Sequence, residues 1–379
     1  MSLHKAQVMR AAHPSICDIL PVIFRAWGVS GPAPRAEEQR DRLANYLQLK
    51  EIQQTLVVLI DGFGFELVAN HFPYTPFLRS RKADMLRACT ILPSTTAAAI
   101  SSFATGLMPG KTNMVGWSVK DGSQVTTLLT FENASVPPEE WQSNPTMFEV
   151  ASRAGVNSAA IMPQRFAGSG LTMAALRGAR PVGAQTLDER IDAAMQQLRE
   201  GAAVVYLYWS DLDHVGHGYG TNCDKWVAEL ELVDAALARI NRELPKGVCA
   251  LVTGDHGMVN TRPERRIDVA QNRQLQQDLE LIAGEGRAVH IHAATNPNEV
   301  IGRWRDELGE RATIVQGGEV VEILGGESGA TLTGDAVAFM HDDWVVVDSR
   351  TQPKKSIDLV GVHGSFSSAE LAIPILRFD

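Results

Sequence analysis

Three short apolar, β-branched runs, Leu56–Ile60 (LVVLI), Ala203–Tyr208 (AVVYLY) and Cys249–Thr253 (CALVT), are each followed closely by aspartate or histidine. Asp61 follows the first run, Asp211, Asp213, His214 and His217 the second, and Asp255 and His256 the third. A further histidine, His363, stands in GVHGSF near the C-terminus. Aspartate and histidine without cysteine suit a catalytic zinc site, where one position stays open for substrate. Three aspartates and three histidines are too many for one tetrahedral ion. They suit two ions, with room for a nucleophile and a phosphate oxygen. Singly, each signal is weak. An aspartate after a strand often caps a helix or makes a turn, and Asp213 and His217, four apart, share a helix face whether or not they bind anything. Asp255-His256 between two glycines also reads as a tight turn, and His363 as a loop histidine. Their joint occurrence at three strand ends is what points to a site.

A hydroxyl-rich segment accompanies them. In ILPSTTAAAISSFATG, Ser94, Thr95 and Thr96 lead into small residues that can form a helix opening near Thr95. A helix N-terminus offers free N–H groups and positive potential to an anion or an alkoxide. Plain capping by Ser94 or Thr95 is the commoner use of such residues, and spacing does not choose among the three hydroxyls.

The elements around these residues predict how they are positioned. The three runs are too short for ordinary helices and read as strands buried on both faces. Between them lie amphipathic stretches at Leu187–Arg199 and Lys225–Leu244, the latter with Trp226, Leu230, Val233, Leu237 and Ile240 at helical spacing. This alternation predicts an α/β fold, a mostly parallel central sheet with helices on both faces. Ligands of such sheets bind beyond the carboxyl ends of the strands, so the three Asp/His sets can converge. Residues 1–50 read as a helical and irregular lead-in, 51–264 and 345–379 as the catalytic α/β core, and 265–344 as a small α+β insertion. Within the insertion Ala288–Ala293, Ala312–Gln316 and Val320–Leu324 read as strands and Asn298–Leu308 as a helix. Trp344–Val347 reads as the return to the main sheet.

Composition narrows the classes. The 379 residues carry 35 Lys+Arg against 44 Asp+Glu, a net charge of −9, with no basic stripe, which argues against a nucleic-acid scaffold. The four cysteines (Cys17, Cys89, Cys223, Cys249) form no CxxC pair, which speaks against a disulfide framework and a thiolate zinc site. No apolar run approaches the roughly 20 residues of a membrane span, and Asp18 and Arg25 interrupt the nearest candidate for a leader. The expectation is a cytoplasmic protein without membrane partners.

In motif content and order, the chain resembles the alkaline phosphatase superfamily, and most closely its nucleotide pyrophosphatase/phosphodiesterase (type I phosphodiesterase) family. The likeness covers roughly residues 55–260 and the stretch around His363. The resemblance implies that Asp61 in LIDGFG is the first metal aspartate and that Thr96 in LPSTTAAA is the nucleophile of a PSxT pattern. Asp213 and His217 in DHVGHGYG, Asp255 and His256 in TGDHGM, and His363 match the remaining ligands. One zinc would be held by Asp61, Asp255 and His256 with Thr96, the other by Asp213, His217 and His363; other divalent metals are open. Where the family commonly continues Phe-Pro-Asn, this chain has Ala97, Ala98 and Ala99, so an aromatic platform and a side-chain donor to the phosphoryl oxygens are missing, and what replaces the Asn at Ala99 is open. Tyr208 matches a tyrosine that stacks on nucleotide bases in relatives, with a buried strand residue as the even alternative. Asp211 and His214 match no family role and read as hydrogen-bonding neighbours of the ligands or as surface.

The activity implied is a di-zinc hydrolase cleaving phosphodiester or pyrophosphate bonds of small anionic substrates through a phospho-threonine intermediate. The alternative on the same scaffold is a phosphomonoesterase or a phosphonate (phosphonoacetate-like) hydrolase, with Lys111 and Arg165 as candidates to meet extra phosphate oxygens. A metal-binding, non-catalytic sensor is the reading from another class. The expected partner is a small phosphate ester, nucleotide or phosphonate; a homo-oligomer is left open.

Overall fold

Side chains alternate across a strand, so an apolar run that faces two sides must be covered on both. In the first run Val57 and Leu59 enter one core cluster while Leu56, Val58 and Ile60 enter another, and none exceeds 3% exposure. At about 1.5–3 kcal/mol per buried side chain, this one strand contributes on the order of 10 kcal/mol before chain entropy is subtracted.

The computed structural model describes residues 1–32, 36–48 and 53–379. The expected border between lead-in and core, at residues 50 and 51, lies outside the described residues. Strands β1 (Gln54–Ile60), β2 (Leu86–Cys89), β3 (Ser158–Met162), β4 (Arg180–Gly183), β5 (Val204–Trp209) and β6 (Val248–Gly254) are followed by β7 (Leu279–Glu285), β8 (Ala288–Ala293), β9 (Ala312–Val315) and β10 (Ala336–Met340). Strand β11 (Ala372–Phe378) comes last. A seven-stranded sheet runs in the order β2-β11-β6-β1-β5-β3-β4. Strand β1 pairs in parallel with β5 and β6, and β3 with β5 and β4; β11 is antiparallel to β6 and β2. The mostly parallel α/β sheet is as expected.

The helices used below are α1 (Leu3–Ala12), α2 (Ile19–Phe24), α3 (Glu37–Leu47), α4 (Thr96–Thr105), α5 (Leu187–Arg199), α6 (Asp211–Tyr219), α7 (Asp224–Glu243), α8 (Pro297–Leu308) and α9 (Gly318–Leu324). Helices α2, α3 and α4 cover one face of the sheet through Ile19, Leu43 and Phe103. Helices α5 and α7 cover the other through Ile191, Leu198, Trp226 and Leu230. Helix α5 opens with a capping box between Thr186 and Glu189. The lead-in is therefore built into the core through α2 and α3.

A second sheet, β7-β8-β10-β9, is antiparallel throughout and packs under α8, which buries Val300, Ile301, Trp304 and Leu308. Two local expectations are corrected here. Val320–Leu324 lies in helix α9: Val320, Ile323 and Leu324 are buried at three- and four-residue spacing, and Gly325 ends the turn with φ +72°. Val345–Val347 pairs with Arg266–Asp268 in a two-stranded sheet, and the chain returns to the main sheet only at β11. The β7–β8 turn is tied to the main body by Arg287, whose Nε and terminal nitrogen donate to both carboxylate oxygens of Glu370 at 2.6 and 2.9 Å, with neither residue exposed.

Candidate active site

Register brings the site together. Ile60 at the end of β1 lies opposite Trp209 of β5 and Gly254 of β6. The residues that follow, Asp61, the start of α6 and Asp255-His256, therefore emerge side by side. Gly62 turns the chain away with φ +72°, and a Cβ there would press on Asp213 at 3.1 Å, so glycine leaves the room that Asp213 occupies. On α6, Asp213 and His217 stand one turn apart with Oδ2 and Nε2 3.1 Å from each other. His363 arrives from far along the chain because Gly361–Val362 pairs with Val259–Asn260, just beyond His256. The His256 and His363 rings then stack with centroids 3.7 Å apart.

The three hydroxyls left open by the sequence have different surroundings. Ser94 Oγ is buried, donates to Ser365 O at 2.6 Å and accepts from Gly364 N–H at 3.2 Å, lacing the His363 loop in place. Thr95 is the N-cap residue of α4 and is directed towards Glu285. Thr96 Oγ1 lies 3.4 Å from Asp61 Oδ1 and 3.1 Å from His256 Nε2. Of the three, Thr96 is the one beside the Asp/His cluster.

Each site histidine turns Nδ1 to a backbone carbonyl: His217 to Gly361 O at 2.7 Å, His256 to Gly257 O at 3.0 Å, and His363 to Ser94 O at 2.9 Å. A carbonyl only accepts, so Nδ1 carries the proton and Nε2 is aimed inward, the arrangement that orients metal-binding imidazoles. Nε2 of His217 and Nε2 of His363 approach to 3.3 Å. Asp213 Oδ1 and Asp255 Oδ2 are buried without a hydrogen-bond partner. Buried lone pairs facing one another are costly unless a cation lies among them. Ligand atoms of Asp213, His217 and His363 lie within 4.8 Å of one another, as do those of Asp61, Asp213 and His256. Asp213 thus stands in both sets, and the donors fit a divalent cation.

The electrostatics point the same way. Burial, then the neighbouring Asp255 and Asp213, pushes the Asp61 carboxyl well above the usual carboxylate range. Burial also raises Asp255. Burial would raise Asp213 as well, but His217, through its charge and hydrogen bond, holds it well below. In return Asp213 overcomes the burial of His217 and lifts it to about 9. Burial and the nearby His256 push His363 well below its ordinary value. Without metal a proton between His217 and Asp213 supplies positive charge that a cation would supply otherwise.

The cluster opens into a cavity of about 800 Å³ whose wall is largely apolar, with Ile100, Leu129, Phe166, Leu171, Ile282 and Val345 among its lining. Arg165 lines it; Lys111 does not. Ala97, Ala98 and Ala99 are buried in the first turn of α4 and present no polar group. The Tyr208 hydroxyl donates to Asp61 Oδ2, and its ring packs against Tyr206 and Phe166. His214 is exposed and belongs to neither ligand set; Asp211 sits near Arg190.

Sequence reasoning missed Glu285 and Trp117. Glu285, in the β7–β8 turn, accepts the Trp117 backbone N–H at 2.7 Å and lines the cavity. Burial raises its carboxyl to about 8 against the pull of that bond. Its only signal in the chain is a glycine-flanked turn, GEGR, which says nothing of where the turn docks.

Residues 55–366 match the family model described as type I phosphodiesterase / nucleotide pyrophosphatase. No curated protein matches the chain. Among solved structures, the fold is similar to that of murine ectonucleotide pyrophosphatase/phosphodiesterase 5. The TM-score is 0.67 at 17% identity, covering 85% of this chain and 87% of that one, and an inactive form of that protein in complex with AMP is equally similar. It is also similar to phosphonoacetate hydrolase from Sinorhizobium meliloti 1021 in complex with phosphonoformate, with TM-score 0.68 at 16% identity over 86% of this chain and 90% of that one.

Proposed function

The chain belongs to the type I phosphodiesterase / nucleotide pyrophosphatase family, and from that membership we propose that it is a di-zinc hydrolase of small phosphodiesters or pyrophosphates acting through a phospho-threonine intermediate. The observation that carries the reading is the inward set of Nε2 and carboxylate atoms around Thr96, each histidine fixed by a backbone carbonyl. Asp61, Asp255 and His256 with Thr96 would hold one ion, and Asp213, His217 and His363 the other. Bound there, two divalent ions supply Lewis-acid activation of the Thr96 hydroxyl and neutralise charge on the phosphoryl and leaving oxygens.

The residues of the chain do the rest. Thr96 Oγ1 gives its proton to water and forms the new bond to phosphorus, and the ester or anhydride oxygen opposite it leaves with the bonding pair and takes up a proton from water. The N-terminus of α4 directs N–H groups and positive potential towards the phosphoryl group. Ser94 keeps His363 in register with the cluster through its carbonyl. Water then cleaves the Thr96–phosphate ester and frees the threonine.

A phosphonate hydrolase of the kind the Sinorhizobium protein is named for is the second reading, and the volume of the cavity favours the first, because a ligand as small as phosphonoacetate would leave most of it unfilled. Cytoplasmic placement is part of the proposal. Among the described residues no helix is long and apolar enough to cross a membrane, and no disulfide forms. The test is a panel of bis-p-nitrophenyl phosphate, p-nitrophenyl phosphate and phosphonoacetate with the zinc-loaded enzyme, followed by acid quench and mass spectrometry. Preferred hydrolysis of the diester, with an added phosphate on the peptide containing Thr96, is expected. Preferred turnover of phosphonoacetate, or phosphate on no residue, refutes the proposal.

A further inference from the structure

The charges that line the cavity divide cleanly. Asp61, Asp213, His217 and His363 belong to the cluster around Thr96. Arg287 is saturated: besides Glu370 it donates to the carbonyls of Trp344 and Met340. Glu285 holds the backbone of Trp117. Arg165 remains, the one lining guanidinium with no carboxylate or carbonyl partner among the described residues.

Its side chain is exposed, but the turn that carries it is fixed. Arg165 lies on the turn Gln164–Phe166 directly after β3, at the carboxyl edge of the sheet where the other site residues emerge. The turn is closed by Phe166 N–H to Pro163 O at 2.8 Å and Ser169 N–H to Phe166 O at 2.9 Å. It is seated because Gln164 fills the space beside Gly183, where a Cβ would meet its Oε1 at 1.7 Å. The Arg165 guanidinium rests over the Phe166 ring, 4.6 Å from its centroid. Phe166 packs 6.1 Å from Tyr208, whose hydroxyl donates to Asp61. An aromatic path thus joins Arg165 to the cluster. Stacking restrains the exposed guanidinium, and the planar fork of arginine can meet a phosphate or carboxylate with two parallel bonds.

We propose that Arg165 forms a second anion subsite, so that the substrate carries a phosphate or carboxylate beyond the phosphoryl group that Thr96 attacks. This rests on the reading of the cavity as a phosphoester site and narrows its natural substrates to phosphoesters with a second anion: pyrophosphate-linked diesters or phosphodiesters bearing a carboxylate on one arm, with phosphonoacetate serving below only as a binding probe for the carboxylate. A neutral arm would meet the hydroxyls of Ser169 and Thr172 and an otherwise largely apolar wall, but no second charge to pair with Arg165.

The experiment is calorimetric binding to the zinc-loaded Thr96→Ala protein, which binds without turning over, compared with the same protein also carrying Arg165→Met, Arg165→Lys or, as a remote control, Arg199→Met. The probes are diadenosine diphosphate, phosphonoacetate and, as the one-anion reference, bis-p-nitrophenyl phosphate. Arg165→Met is expected to lower the affinity ratio of two-anion to one-anion ligand by about 10- to 100-fold, the scale of a charge-assisted pair. Arg165→Lys should restore part of the ratio, and Arg199→Met none of the loss. A fall for diadenosine diphosphate alone assigns a phosphate, and one for phosphonoacetate alone a carboxylate; either supports the subsite. An unchanged ratio, or an equal fall in Arg199→Met, overturns it. Wild-type enzyme that hydrolyses none of the three probes refutes the hydrolase reading separately, because the binding ratio is measured without turnover.

Discussion

His256 at the end of β6 and His290 on β8 are equally withdrawn from water, 0% and 1% exposed, and yet they have opposite chemistry. His256 gives Nδ1 to Gly257 O and directs Nε2 to within 3.4 and 3.5 Å of the Asp61 and Asp255 carboxylates. His290 has a buried Nδ1 with no partner and a hydrogen bond to the backbone of Val115, and beside it lies His292, not an acid. Burial pushes His290 down to about 3 and His292 to about 4. Burial without a facing carboxylate therefore makes a neutral packing residue. Carboxylates in front of a ring whose Nδ1 is held by a carbonyl make the arrangement proposed here for a metal ligand.

The largest effect expected along this contrast is at the nucleophile. Thr96→Ala should lower turnover of bis-p-nitrophenyl phosphate by at least about 10³-fold while leaving the zinc content near two per chain. Retention of more than a tenth of the activity would contradict the role of Thr96. Next, His363→Asn should release about one zinc per chain, whereas His290→Asn should release none; metal analysis after dialysis reads both. Loss of metal from the second variant would erase the distinction between the two regions.

The tie between those regions should cost stability. Arg287→Met strands the Glu370 carboxylate in a dry interior and is expected to destabilise by about 3–5 kcal/mol. Adding Glu370→Met should return only part of that loss in chemical denaturation, because Glu370 also accepts from the Ser365 N–H at 3.0 Å and the Ser367 N–H at 3.3 Å. A double variant as unstable as the single one would show that the pair is more than compensated charge.

The smallest effect is in pH. His290 and His292 titrate lower when folded than their ordinary 6.5, so the unfolded chain takes protons first. The stability they allow is complete above pH 6.5 and falls as pH drops towards 4 and then 3. His217 runs the other way in metal-free protein. Raised to about 9, it contributes fully below 6.5 and its contribution is lost as pH rises to 9. His290→Gln should flatten the acid limb of the metal-free stability profile and His217→Gln the alkaline limb. The same limb flattened by both variants would contradict the assigned directions.

How much of this was legible in the chain follows from distance along it. Asp61, Asp213, His217, Asp255 and His256 each stand close after a buried strand, so the strand that signals the fold also locates the candidate site. Register did the rest, and parallel strands that end level are what an unbroken apolar run cannot announce. The choice of Thr96 over Ser94 rested on a resemblance; in the structure Thr96 lies beside the Asp/His cluster, while Ser94 is engaged with the His363 loop. Val320–Leu324 was misread because a short apolar run fits either period, and only the neighbours of Val320, Ile323 and Leu324 decide for a helix. Glu285 and Trp117 were invisible, since their meeting depends on how the second sheet docks through Arg287 and Glu370.

Anomalous diffraction at the zinc edge, from crystals grown with zinc, tests the central claim most directly. Two peaks are expected, one among Asp213, His217 and His363 and one among Asp61, Asp255 and His256 next to Thr96. No peak in this cluster, or zinc bound only elsewhere on the chain, would contradict it.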